Sequence, residues 1–427
     1  MEMLNTPRSI IIERLLTILI VGLSTGYALT SATTILLGLP SSIFNYGFRV
    51  SMVFVSIVLL PLTIMRKGSI SLSGISWVAI FFWIIFSLRL LYDIEIRGII
   101  FKTPQIVYSF AIGNCLLPFI AISLAIKFIN LKLIVKYLFA SSFICNSILL
   151  YLTINKYGID PGEVTRTYFH TGENTNHQVI NSILVGRVGE SLILYCICYI
   201  LFLREKHKHL FLDIICIPGL LIGIANISYS GARGPILGLI LCLVFLFALR
   251  FVRLISSRRA FFKAFVPICI LLIFSVGIIF FFGDSVLNST GAKRLIKTFS
   301  SERVLDGRDF ERQAAISQFL SNPILGDKYI NDYDNFYPHN IYIEVLMSTG
   351  IVGGLLYFTM LLGVYYNIFW LCKSKKYQIF TPIIITFFVF SIFALFSGSI
   401  YFSTGFWAMT AILSNKKALY NSNIYIH

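Results

Sequence analysis

Charged side chains are scarce in this chain. Asp, Glu, Lys and Arg make up 13% of its 427 residues, against 57% hydrophobic and 15% aromatic, and the mean hydropathy is +0.83. A soluble domain carries about a quarter charged residues, so the deficit excludes a water-soluble globular fold. Acids are scarcer than bases, 19 against 35, which leaves a formal charge of +16. In a soluble protein that excess would suggest nucleic acid; in a membrane chain the positions of Lys and Arg decide, and here they read as topology, with no nucleic-acid partner expected. No CxxC pair exists. Cys196 and Cys198 are two apart and face different sides of a helix, and all eight cysteines lie in or at the edge of apolar segments. A disulfide framework is therefore not expected. Walker, GxSxG and HExxH patterns are missing, as are internal repeats and low-complexity tracts. Near the N-terminus no short apolar core leads to a small-residue cleavage site, so the first apolar run is expected to be a retained anchor.

What the chain does have is apolar runs of about twenty residues, the length of a membrane helix rather than of a barrel strand. They fall at 15–37, 46–65, 74–93, 106–126, 131–153, 178–203, 209–227, 235–253, 263–283, 343–371, 378–397 and 399–415. The expected fold class is an all-α polytopic membrane protein with about 12 transmembrane helices. Arg8 and Arg14 precede the first helix. Arg66-Lys67, Lys127 with Lys132, and Arg204-Glu205-Lys206-His207-Lys208 follow even-numbered ones, as do Arg253, Arg258, Arg259 and Lys263, then Lys373, Lys375 and Lys376, then Lys416-Lys417. Every even connection is short and basic, which places them and both termini in the cytoplasm. Residues 1–283 then hold nine helices and an outer loop at 154–177, residues 284–342 form one large outer loop, and residues 343–427 hold three helices and a tail.

Basic residues on the other face work against that orientation signal. They are Arg166 in the 154–177 loop, Arg233 between the seventh and eighth helices, and Lys293, Arg294, Lys297, Arg303, Arg308, Arg312 and Lys328 in the large loop. A long polar excursion from such a greasy chain is where function is expected, because lipid-facing segments hold these groups only at high cost.

Ser228-Tyr229-Ser230-Gly231-Ala232-Arg233-Gly234-Pro235 sits at an outer turn. Its glycines allow a sharp turn, Pro235 suits the first turn of a helix, and free N–H groups there would favour a phosphate held by Arg233. The plain alternative is an arginine reaching for the membrane surface. In the loop, Phe310–Leu320 reads as an amphipathic helix with Phe310, Ala314, Ala315 and Phe319 on one face, ended by Ser321-Asn322-Pro323 and Gly326. Arg308 and Arg312, four apart, share a face and suit one anion, or else pair with Asp309 and Glu311. His339, in Tyr337-Pro338-His339-Asn340, is placed to act as base, acid or hydrogen-bond donor, or is only structural. Arg166, His170, Glu173, Asn174, Asn176 and His177 make a second polar loop suited to sugars. Asp332-Tyr333-Asp334 resembles a metal-binding DxD, yet no convincing ligands cluster around it, and no metal is expected. Arg187 and Glu190 are three apart within an apolar run and either pair or line a cavity.

SxGARGP at an outward turn, followed by a long outer loop with GR…NPILG and closing on YPHNIYIEVLMSTGIVGG, resembles the O-antigen ligase/polymerase family over roughly 225–355. The N-terminal half resembles it only in hydropathy. The resemblance implies a GT-C-like membrane glycosyltransferase with its large loop in the periplasm of a bacterial inner membrane. It would act on undecaprenyl-diphosphate-linked oligosaccharides, with membrane lipids around it, a chain-length regulator as a further partner, and neither metal, nucleotide nor other cofactor. The family's essential arginines and histidine map onto Arg233, Arg308 and His339, which makes these the expected catalytic residues. Arg166, Arg312, Tyr337 and Asn340 are the expected substrate contacts. Within the family, the YPHN…E form favours a polymerase over a ligase that transfers glycan to lipid A-core. A lipid-linked oligosaccharide flippase, also with about twelve helices, would carry charge through its middle and show similar halves; here the unusual charge lies at one face. A structural scaffold is the remaining alternative.

Overall fold

The computed structural model describes residues 7–66, 72–101, 103–159, 167–170, 178–204, 210–254, 307–374 and 376–421. Among them, ten helices are long and apolar enough to cross a membrane: α1 Ser9–Leu36, α2 Ser41–Ile64, α3 Gly74–Ile96, α4 Pro104–Phe128, α5 Leu131–Tyr157, α6 Ser182–Leu203, α7 Leu212–Ser230, α8 Arg233–Phe251, α10 Ile341–Lys373 and α11 Tyr377–Phe396. The loop helix α9 runs Gly307–Ser321, and two short helices, α12 Thr404–Leu413 and α13 Lys416–Asn421, complete the set. Phe169–His170 and Gln178–Ile180 form a small antiparallel ribbon. The chain is thus a helical, multi-pass membrane protein. The expected ninth span at 263–283, Arg166 and the first part of the large loop lie outside the described residues.

Two departures from the expected spans have visible causes. The last one, expected at 399–415, is helical only from Thr404, because Ser399 Oγ and Ile400 N donate to the buried Glu344 carboxylate at 2.9 and 3.0 Å and hold 397–403 out of a helix. Helix α10, at 33 residues, would be about 50 Å long, well beyond the ~30 Å hydrocarbon layer. It is broken at Gly350, whose φ of 61° no helix tolerates.

The core is aromatic. Trp83 and Trp407 lie 4.8 Å apart between ring centres, Phe82 stacks on Trp407 at 5.9 Å, and Tyr357 of α10 meets Phe82 at 5.3 Å. Trp407 Nε1 donates to Ile400 O at 2.8 Å, so the one polar atom of that ring is satisfied. A polar clamp joins α5, α6 and α7: Asn226 donates to Asn146 Oδ1 (2.8 Å), and Asn146 donates to Val188 O (2.9 Å). Arg187 and Glu190 interact through their charges, but no ion pair within 4.0 Å joins them among the described residues. Arg187 lies over the rings of Phe390 and Phe393, at 5.1 and 4.7 Å, because α11 presents aromatic faces there.

The two ends of the bundle are distinct. At one end Asn130 donates to Glu13, Asn415 to Ser76, and Arg204 pairs with Asp213 at 2.8 Å. At the other, the loop end, gather 97–101, 158–159, 231–232, 307–340 and 397–403.

Candidate functional site

The loop end is built around an interlocked turn. The break at Gly350 opens α10's hydrogen-bond ladder, and the segment Pro323–Asp327 fills it. Ile351 N donates to Pro323 O (2.8 Å), Val352 N to Ile324 O (3.2 Å) and Asp327 N to Met347 O (2.8 Å). Gly326, with φ of 73°, presses on the Ser348–Gly350 backbone so closely that a Cβ would lie 2.5 Å from Ser348 C. Both motif segments, NPILG and STGIVGG, thus form one unit.

Helix α3 holds that unit from the side. Arg89 donates to Leu325 O, Gly326 O and Asp327 O at 2.6–3.1 Å. Arg97 reaches Asp327 O (2.7 Å), and the fully buried Asp93 accepts from Tyr329 N (2.9 Å) while lying 3.6 Å from Arg89 and 3.4 Å from Arg97. Sequence reasoning missed these residues, although Arg89 and Arg97 are further bases at the loop end. The signal was Arg89-Asp93-Arg97, charges four apart at a helix end, which also describes an ordinary surface ladder.

Helix α9 buries Ala315 of its expected apolar face, but polar residues join it and Phe310 does not. Glu311, Ala315 and Gln318 are buried, while Phe310 is exposed and stacks on Tyr333 at 5.7 Å. Polar bonding decides it: Gln318 donates to Asp327 Oδ2 (3.1 Å) and Ile330 O (3.2 Å) and accepts from Asp332 N (3.0 Å). The two acids of the DxD-like triplet serve separately. Asp332 pairs with Lys328, and Asp334 accepts from Asn331 at 2.8 Å and from Phe336 N at 3.1 Å.

Where α9, the 336–340 segment and the end of α11 meet, several expected site residues come together. The last carbonyls of α11 are their common anchor. Arg308 Nη1 donates to Phe396 O at 2.9 Å, Asn340 Nδ2 to Leu395 O at 3.1 Å, and His339 hydrogen-bonds the Ser397 backbone. Cationic and donor groups suit the negative end of a helix. Helix α8 starts beside this place: a Cβ on Gly234 would lie 3.8 Å from Phe396 Cβ, and Arg233, the residue before it, is exposed. Its turn is made by Gly231, φ 63°, with Ala232 N donating to Ser230 Oγ.

His339 is the most constrained of the set. Its φ is 50°, uncommon for a residue with a side chain. Its ring lies edge-on to Tyr337 at 4.6 Å and 5.4 Å from Phe336, and Nε2 is 3.9 Å from Glu311 Oε2. Burial first, then the charge of Arg308 with a smaller push from Arg312, moves its pKa down to about 4; Asp334 and the Ser397 bond oppose this. At neutral pH the imidazole is uncharged, and its contact with Glu311 is not an ion pair. Nδ1 of His339 and Nε of Arg312 are buried without a hydrogen-bond partner. Burial likewise raises the pKa of Tyr337.

Asn340 proves to be a helix cap: its Oδ1 accepts from Tyr342 N (3.0 Å) and Ile343 N (3.1 Å). With Nδ2 on Leu395 O, its polar atoms are already engaged by the scaffold. Of the expected residues, the structure therefore gathers Arg308, Arg312, Tyr337 and His339 into one cluster with Arg233 at its edge, and uses Asn340 to hold it.

The fold and this cluster define a helical, multi-pass membrane protein with a polar site at one end of its bundle. Compared with protein-family models and with curated proteins, the chain matches none.

Proposed function

We propose that the protein is a GT-C-type, twelve-span glycosyltransferase of a bacterial inner membrane, and specifically an O-antigen polymerase. It would move a growing glycan from undecaprenyl diphosphate onto a new lipid-linked repeat unit at the periplasmic face. One observation carries the reading: Arg308 and His339 meet at the last residues of α11, beside the start of α8 where Arg233 stands. These are the residues onto which the family resemblance maps its essential groups.

In this reading the diphosphate lies against Arg233, Arg308 and Arg312. The bond between the anomeric carbon and the diphosphate oxygen breaks, and that oxygen keeps the electron pair. The arginines stabilise the growing negative charge, the largest contribution expected at such a site. An acceptor hydroxyl forms the new bond to the anomeric carbon and gives its proton to neutral His339. The uncharged imidazole suits that task.

The test uses purified protein with lipid-linked repeat units. A ladder of glycan lengths on undecaprenyl diphosphate is expected, together with a deletion strain whose lipopolysaccharide core carries single repeats. Loss of all glycan from the core in that strain would make the protein a ligase instead, and an unaltered surface glycan would reject the transferase reading.

A further inference from the structure

Arg49 lies away from the cluster around His339. It sits on α2 about two turns from Ser41, roughly 12 Å along the axis, on the stripe that buries Asn45, Met52, Ser56 and Leu59. That stripe faces the bundle, not the lipid. The guanidinium carbon is 4.9 Å from the centre of the Tyr27 ring and 4.2 Å from that of Phe110. It shares a hydrogen bond with the Tyr27 side chain, and no carboxylate pairs with it among the described residues. An arginine inside a membrane span is costly and marks a pathway or an anion more often than a fold requirement. The guanidinium is a planar fork of five donors, and such a fork grips phosphate oxygens two at a time.

Arg49 is also joined to the cluster by an aromatic wall. Phe110 meets Phe402 edge-on at 4.6 Å, Phe402 meets Tyr337 at 5.7 Å, and Tyr337 meets His339 at 4.6 Å. Two cationic places thus stand on either side of one wall at the loop end.

We propose that Arg49 binds the phosphate of a second polyprenyl-diphosphate lipid, the one that carries the acceptor glycan and stays intact. This rests on the polymerase reading, because joining two lipid-linked glycans calls for two diphosphate holders. The Arg308 side receives the leaving diphosphate, Arg49 retains the other, and the wall keeps the two anions from repelling each other at short range.

Native mass spectrometry of the full-length protein in neutral detergent, with undecaprenyl diphosphate as probe, tests this. Wild type is expected to hold two molecules, Arg49→Gln and Arg308→Gln one each, and the double variant none. Binding at the Arg49 place should weaken by about tenfold or more. Two molecules retained by Arg49→Gln would overturn the proposal. Phosphatidylglycerol as a second probe separates the sources of phosphate: if Arg49→Gln loses phosphatidylglycerol but keeps both undecaprenyl diphosphates, the place is a bulk-lipid headgroup site and the carrier assignment is wrong. Arg49→Lys covers the case in which the glutamine variant does not fold, and wild-type affinity in it would overturn the two-oxygen grip. Binding is read without turnover. A wild type that holds two carriers but makes no polymer overturns the polymerase reading and leaves the Arg49 site standing.

Discussion

The turn at Pro323–Asp327 and the cluster around His339 belong to the same loop, yet they treat polar groups in opposite ways. In the turn nearly everything is paired: Arg89 takes three carbonyls, Asp93 takes Tyr329 N, and the broken ladder of α10 is completed by Pro323 and Ile324. In the cluster, Nδ1 of His339 and Nε of Arg312 have no partner, and His339 occupies a backbone region that side chains disfavour. Satisfied buried polar groups hold a fold rigid, whereas unsatisfied ones persist where they are used. On the proposed function, the turn is scaffold and the cluster is site. Substitutions in the first should therefore remove the protein, and substitutions in the second should remove only its activity.

The largest effect is expected at Gly350. Alanine there meets both a positive φ, costing about 1–3 kcal/mol, and the Ile324 and Gly326 backbone, which has nowhere to go. Little folded protein should survive detergent extraction. Gly38→Ala is the control, since Gly38 has a φ of 65° but open space around its Cβ position. Equal thermal stability of the two variants would show that the turn is not interlocked with α10.

Arg308→Lys should do the reverse. It keeps the charge and one donor for Phe396 O, but loses the planar fork that would hold two phosphate oxygens in the proposed reaction. A contact worth about 3 kcal/mol corresponds to a rate loss on the order of a hundredfold, at nearly unchanged melting temperature. Arg233→Lys should behave alike. Near-normal polymer from both lysine variants would leave these arginines only a diffuse electrostatic role.

How much of this was legible in the sequence follows the same division. Apolar runs announce spans because the bilayer demands length and greasiness, and ten of the expected helices are present among the described residues. The cluster was legible because an arginine or histidine at the end of an apolar span stands out against its surroundings. The scaffold was not. Hydropathy is blind to the break at Gly350, a single residue inside an apolar run. Asp93 resembles any helix-end acid until Tyr329 arrives from far along the chain. Glu311 and Gln318 turned inward against the apolar pattern of α9, because the polar bonds they serve lie on other segments. Asn340 directly before an apolar helix is an N-cap signal, and its expected substrate contact competed with that simpler role.

Asn340→Ala sharpens the comparison further, because Asn340 stands at the border between scaffold and cluster. Losing the cap should cost about 1 kcal/mol, seen as a modest fall in melting temperature. Transfer per folded molecule should stay close to wild type. A fall in kcat/KM much larger than the loss of stability would return Asn340 to the substrate.

The smallest effect on the rate is expected from mild acid, and it separates two roles for His339. Its pKa in the folded protein is about 4, below the ordinary value near 6.5, so the unfolded chain binds more protons between those two pH values. Stability from this group is therefore complete above pH 6.5, falls by about 1 kcal/mol at pH 5.5, and is lost as pH approaches 4. The rate behaves differently. A base that is already neutral stays neutral, so transfer should be flat from pH 7 to about 5.5 and fall only near the folded pKa. A rate that halves near pH 6.5 would mean that the imidazole is not held neutral by burial and Arg308. His339→Gln and His339→Ala then decide what the neutral ring does. As a base, His339 has no substitute, and the two variants should be equally inactive. A sugar hydroxyl is only weakly acidic, however, and its proton can leave late, after the bond to diphosphate has largely broken. In that case the ring mainly positions the acceptor, and glutamine, neutral and hydrogen-bonding, should keep a substantial part of the rate that alanine loses.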